Sequence, residues 1–208
     1  MVRDGYKFAA PPLVLGLVAL CFGLWWTPAA WAGVLLLLLA AFVVYFFRDP
    51  ERVIPGDPAA IVSPGDGRVM EVVEESLDGR AGRRISIFLA IWNVHVSRSP
   101  FAGRIERIEY RPGKFYAAMR SRASSENEQN VIRLSTERGE MVFKQIAGWV
   151  ARRVVCWKKP GDRLATGERI GLIRFGSRMD IWLPEGPEIV VKPGEHVAGG
   201  SSILARWK

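Results

Sequence analysis

Lys159-Pro160-Gly161-Asp162-Arg163-Leu164-Ala165-Thr166-Gly167 is answered, 33 positions on (159 to 192), by Lys192-Pro193-Gly194-Glu195-His196-Val197-Ala198-Gly199-Gly200. Each copy sets a Pro-Gly turn before a short strand and closes on a further glycine. Paired turns of this kind suit a compact β-sandwich or barrel with internal pseudo-symmetry, and two copies are too few for a solenoid.

Working outward, the chain from residue 48 onward breaks into short apolar runs punctuated by glycine and proline: 60–63, 67–74, 84–91, 104–111, 130–135, 141–147, 150–157, 169–174, 179–183 and 188–191. Many alternate with period two, as in Arg84-Ile85-Ser86-Ile87-Phe88-Leu89, which predicts strands. The one helical candidate is Phe115–Ala123, uninterrupted by Gly or Pro and containing Ala117 and Ala118. The expected fold is therefore mainly β (α+β), a compact sandwich or barrel-like domain with repeats of the kind seen in biotinyl and lipoyl carrier domains. A carrier role is not expected, because neither repeat holds the Met-Lys or Asp-Lys hairpin that a covalent swinging arm requires.

The N-terminal part reads differently. Residues 9–47 contain no charged side chain, and within them residues 11–26 and 29–47 form two apolar runs separated by Thr27 and Pro28. At 1.5 Å per residue these reach about 24 and about 28 Å, close to the roughly 30 Å of a bilayer core. A transmembrane helical hairpin over residues 1–47 is expected, preceding a soluble body over 48–208. Arg3 and Lys7 before the first run, and Arg48 and Arg52 after the second, predict that both ends and the body lie on the cytoplasmic side of the inner membrane. Trp25, Trp26 and Trp31 would form the aromatic belt at the far interface.

With 208 residues, 49% apolar and 24% charged, the chain is neither disordered nor a disulfide-stapled miniprotein. Of its net charge of +8, residues 1–47 carry +1, leaving 27 basic and 20 acidic residues in the body. A basic body beside an apolar anchor points to an anionic phospholipid surface rather than to nucleic acid. Cys21 and Cys156 show neither disulfide nor zinc spacing, and no metal is expected.

Only two histidines occur, His95 and His196. His95 ends a strongly apolar strand and is the candidate general acid or base, while His196 sits in the polar repeat turn. Ser63-Pro64-Gly65-Asp66-Gly67 places a carboxylate in a turn between strands, which by role could orient a histidine. Phe175-Gly176-Ser177-Arg178 puts a hydroxyl beside the preceding glycine carbonyl.

Taken in order, Arg48-Asp49-Pro50-Glu51-Arg52, Ser63-Pro64-Gly65-Asp66-Gly67, Asn93-Val94-His95-Val96, Glu126-Asn127-Glu128, Gln145-Ile146-Ala147-Gly148 with Ala151-Arg152-Arg153, and Arg174-Phe175-Gly176-Ser177-Arg178 resemble the short, bacterial-type branch of the phosphatidylserine decarboxylases. Those enzymes are pyruvoyl-dependent and make phosphatidylethanolamine. Relative to the longer branch, Arg98 stands at the second histidine position and the cleavage motif reads Phe-Gly-Ser-Arg rather than Leu-Gly-Ser-Thr.

The resemblance implies self-cleavage between Gly176 and Ser177, giving fragments 1–176 and 177–208 that stay together as a heterodimer and can oligomerise further. Ser177 would become the covalent pyruvoyl cofactor and form a Schiff base with the substrate amine. His95 would take the Ser177 proton and Asp66 would orient the imidazole. Arg98, Lys114, Arg152, Arg153 and Arg178 are the cations expected to line the approach of the substrate phosphate and carboxylate. Another serine phospholipid, such as archaetidylserine, is the alternative substrate. A non-enzymatic membrane adaptor with a lipoyl-like domain is the alternative of a different class.

Overall fold

The computed structural model describes residues 1–149, 153–174 and 176–208. The chain divides into two compact units, Met1–Pro50 and Glu51–Lys208.

The first unit is a helical hairpin, α1 (Arg3–Phe22) and α2 (Thr27–Phe46). Both helices are long and apolar enough to cross a membrane. Gly16 and Gly33 let the two backbones approach, since a β-carbon on Gly33 would lie 2.9 Å from the Gly16 carbonyl oxygen. The expected boundaries shift. α1 begins eight residues before Pro11 and carries Pro11 and Pro12 inside it, because hydropathy marks where a helix becomes apolar and not where its backbone starts to coil. Thr27 and Pro28 open α2 rather than forming the loop, a proline in the first turn having no hydrogen bond to lose. Trp25 and Trp26 lie exposed in the turn between the helices.

The second unit is strand-rich. Its main sheet curls through eight strands, in the order β13 (His196–Val197), β2 (Gly67–Glu74), β3 (Gly82–Leu89), β11 (Ser177–Pro184), β7 (Gly139–Ala147), β6 (Gln129–Thr136), β5 (Gly103–Arg111) and β9 (Arg163–Leu164). Two three-stranded sheets complete it: β1 (Ala60–Val62), β14 (Ile203–Arg206) and β12 (Glu188–Ile189), and β4 (Val96–Arg98), β10 (Arg169–Ile173) and β8 (Val154–Cys156). Alternate residues of the central strands, Met179, Ile181 and Leu183 on β11 and Met141 and Phe143 on β7, point into a core shared with Ile61, Ile85, Ile87, Ile132, Ile170 and Leu204.

This architecture is a pseudo-two-fold. The repeat turns run at opposite edges of the main sheet, β9 on β5 and β13 on β2. Gly161 and Gly194 have φ of +96° and +97°, and Arg104 and Arg68 donate to the carbonyls of Gly161 and Gly194 respectively. A second repeat accompanies the first: Ser63-Pro64-Gly65-Asp66-Gly67-Arg68-Val69 matches Ser99-Pro100-Phe101-Ala102-Gly103-Arg104-Ile105. Ser63 and Ser99 hydroxyls donate to the carbonyls of Gly65 and Phe101, and the two turns exchange backbone hydrogen bonds, Val62 N–H to Pro100 and Arg98 N–H to Pro64. In one half the β6–β7 hairpin closes tightly at Thr136–Gly139. In the other, the equivalent hairpin is open, and Leu89 and Ser177 face one another with the whole second half inserted between them.

The helix expected over Phe115–Ala123 does not form; only Ala123–Glu126 closes a helical turn, α3. Helix propensity is overridden by tertiary hydrogen bonds. The Asn127 side chain accepts from the Tyr116 N–H and donates to the Tyr116 carbonyl, while Lys114 and Glu126/Glu128 exchange backbone bonds.

Candidate active site

The opened hairpin is where the chemistry-bearing residues meet. Ser177 is the first residue of β11, between Leu89 of β3 and Ala147 of β7. Its hydroxyl is fully buried and has no hydrogen-bond partner among the described residues. An unmatched buried hydroxyl costs about 1–3 kcal/mol and so marks a position held for a reason other than stability.

Gly176 has a φ of +69°, the left-handed region that glycine enters without strain. Its carbonyl oxygen lies over Gly148, where a β-carbon would come within 2.3 Å. Gly148 therefore gives the Gly176 carbonyl room that any other residue would fill.

His95 is buried on the segment that leaves β3 for the inserted half. Its Nδ1 lies 3.0 Å from the Asn93 carbonyl, which can only accept, so Nδ1 carries the proton. Nε2 then presents its lone pair, and it accepts the Gly176 N–H at 3.2 Å. The His95 carbonyl accepts the Ile173 N–H. The imidazole is thus held by its Nε2 against Gly176, the residue that precedes Ser177.

Asp66 sits nearby in the fold but in a different set of contacts. Its carboxylate accepts from Arg52 Nη2 at 2.7 Å and from the Gly199 N–H at 2.8 Å. The direct Nδ1 partner of His95 is a backbone carbonyl rather than this carboxylate, because the 93–95 turn folds its own carbonyl under the ring. Asp66 and Arg98 also break the pseudo-symmetry, standing where the matching turns hold Ala102 and Val62. Residues that build the fold are repeated; these two charged ones are not.

The expected cations disperse. Arg98 is buried, its Nη1 donating to the Gly167 carbonyl at 3.1 Å. Lys114 is exposed and pairs with Glu126 at 2.9 Å, and that ion pair and the Tyr116 hydroxyl raise its pKa. Arg153 is exposed, with its carbonyl accepting the Arg174 N–H. Arg152 lies outside the described residues.

Arg178 follows Ser177 on β11. Strand alternation turns it away from Ser177, onto the opposite face of the sheet, where it is buried with Asp180 (Nε to Oδ1, 2.6 Å), Glu71 (2.9 Å) and the Ser86 hydroxyl (2.7 Å). Arg84 joins the same cluster through Glu71, Glu75 and Ser86, and Ser124 donates to Asp180. Burial opposes ionisation of Glu71, but Arg84 and Arg178 outweigh it and hold its carboxyl below the ordinary range.

Two residues of the quoted motifs, Asn127 and Gln145, were given no role there and act as positioning groups. Asn127 binds Tyr116 and the Ala147 carbonyl at 2.7 Å, clamping the 113–118 segment to the end of β7 beside Gly148. Gln145 bridges Asn130, the Ser97 hydroxyl and the Val155 carbonyl. Gln145 is a polar residue in the otherwise apolar end of β7, and Asn127 lies between α3 and β6; the quoted motifs were the sequence signal that pointed to them.

The chain was compared with known proteins. The family described as Phosphatidylserine decarboxylase matches residues 39–205. A phosphatidylserine decarboxylase proenzyme from Solibacter usitatus (strain Ellin6076) is 48% identical over 181 residues, covering 87% of this chain and 86% of the relative. With a match of this extent laid over the buried serine, the left-handed glycine and the buried histidine of the opened hairpin, the chain belongs to the phosphatidylserine decarboxylase family.

Proposed function

We propose that the protein is made as a proenzyme, cuts itself between Gly176 and Ser177, and then decarboxylates phosphatidylserine to phosphatidylethanolamine at the cytoplasmic face of the inner membrane. The observation that carries this reading is His95 Nε2 held on the Gly176 N–H, next to a buried Ser177 hydroxyl that has no partner among the described residues.

In processing, His95 takes the Ser177 hydroxyl proton and Oγ attacks the Gly176 carbonyl carbon. The Ser177 nitrogen leaves that carbon and the peptide becomes an ester. Loss of the Ser177 α-proton expels the Gly176 carboxylate and leaves a dehydroalanine, whose hydrolysis releases ammonia and yields a pyruvoyl group at the new N-terminus. Gly148 keeps the space in which negative charge grows on the Gly176 oxygen.

The site's residues fit such a group. Former Ser177 is fully buried at a strand end, with β3 and β7 holding it on either side after the cut, so fragments 1–176 and 177–208 remain one folded body. A pyruvoyl carbonyl supplies the electron sink that an α-amino acid needs to lose carbon dioxide. His95 is the group within reach to return a proton to the substrate carbon. Asp66, locked by Arg52 and Gly199, positions the 63–67 turn, whose Gly65 backs onto Met179 and Leu89 around Ser177. Arg153 and Lys114 are the exposed cations assigned to the substrate headgroup.

Intact-mass measurement of the purified chain tests the proposal. The expected result is two fragments, the smaller spanning 177–208, blocked to Edman degradation and lighter by one ammonia than the peptide beginning with serine. A single uncut chain in active material overturns it.

A further inference from the structure

Three backbone segments wall the Gly176 site, and each is followed by an exposed apolar side chain. Ile91 lies against Gly176, with 3.7 Å from its Cγ2 to where a β-carbon would stand, and the next residue is Trp92, 63% exposed. Ala118 packs on Gly148 opposite the Gly176 carbonyl, and the next is Met119, 63% exposed. Gly148 itself is followed by Trp149, 72% exposed. Trp92 and Met119 share a groove of about 640 Å³ with Met70, Phe88, Arg68 and His196. A soluble surface seldom gathers such residues without a partner.

The chemistry of the collar specifies the occupant. Tryptophan and methionine side chains favour the boundary between headgroups and acyl chains; exposed Arg68 lines the same groove, and exposed Arg120 and Arg122 follow Met119 in the chain, adding positive charge. We propose that Trp92, Met119 and Trp149 form a docking collar that seats the mouth of the active site on an anionic phospholipid bilayer. The collar then shortens the path by which a lipid headgroup leaves the membrane and reaches Ser177. This inference rests on the decarboxylase reading above and adds to it the surface through which a membrane-resident substrate enters.

Two measurements on the full chain test it. In bilayers containing phosphatidylserine and lipids brominated near the headgroup end of the acyl chains, the fluorescence lost in Trp92→Phe relative to wild type should be the quenched part. Unquenched emission from Trp92, or a change of oligomeric state in the double variant Trp92→Ser/Met119→Ser, would instead assign the collar to water or to a second copy of the chain, and overturns the proposal. In turnover, the double variant should process normally and retain activity on a short-chain, water-soluble phosphatidylserine. On bilayer substrate it should lose at least about ten-fold. Equal loss on both substrates overturns the proposal. Failure of the decarboxylase reading would appear separately, as no turnover of either substrate with the quenching intact.

Discussion

His95 Nε2 accepts the Gly176 N–H at 3.2 Å although 81 positions separate the two residues. The contact exists because the chain leaves one half of a pseudo-symmetric body at 90–95 and re-enters it at 174–177, so the exit and return strands of the opened hairpin lie side by side. The His95 imidazole and the Gly176 amide are brought together by topology rather than by local sequence.

Replacing His95 by alanine should lower carbon dioxide release per processed chain by at least about 100-fold, the usual contribution of a positioned acid or base. Normalising turnover to the 177–208 fragment separates this effect from processing. Full activity would move the proton-transfer role to another residue.

Gly148→Ala tests the room left for the Gly176 oxygen. With a β-carbon 2.3 Å from that oxygen, the carbonyl must move from its present position. The expected outcome is slowed self-cleavage, followed by gel electrophoresis over time, with a stability loss of about 1–3 kcal/mol. Cleavage at the wild-type rate would show that the carbonyl does not need this position.

Arg178→Met should destabilise the body by about 3–5 kcal/mol, because it leaves Asp180 buried without its guanidinium partner. Thermal unfolding in detergent reads this directly. Lipid headgroup affinity, compared on variant protein that still folds, should be unchanged.

Acid should weaken the fold through Glu71. Its folded-state pKa lies below the ordinary 4.5, so the stability it contributes is complete above that value and is lost as pH falls through the lower, folded value. Melting temperatures taken downward from pH 6 should fall on this limb. Glu71→Gln should melt lower at neutral pH and show a shallower acid slope.

Much of this protein was legible in order along the chain. Period-two alternation placed β2 to its exact ends and most other strands within a few residues, and charge-free runs announced the helical hairpin. The short strands Val96–Arg98 and Ile203–Arg206 went unread because three or four residues carry too little periodicity to stand out. The 63–69 and 99–105 repeat was equally present in the letters, but Asp66 against Ala102 and Gly65 against Phe101 hid it until matching hydrogen bonds exposed the correspondence.

By itself the sequence determined the apolar helical hairpin, the β character of the body and the identity of His95, Gly176 and Ser177 as residues worth attention, since hydropathy, turn chemistry and scarcity are properties of local strings. Only the tertiary structure decided that the Asn93 carbonyl lies at His95 Nδ1, that Asp66 is held by Arg52 and the Gly199 N–H, and that Arg178 sits in an internal ion cluster on the face of β11 turned away from Ser177. Those outcomes depend on strand register and on which face of the curled sheet a side chain occupies, and register is set by long-range pairing and core packing that no short stretch of sequence contains.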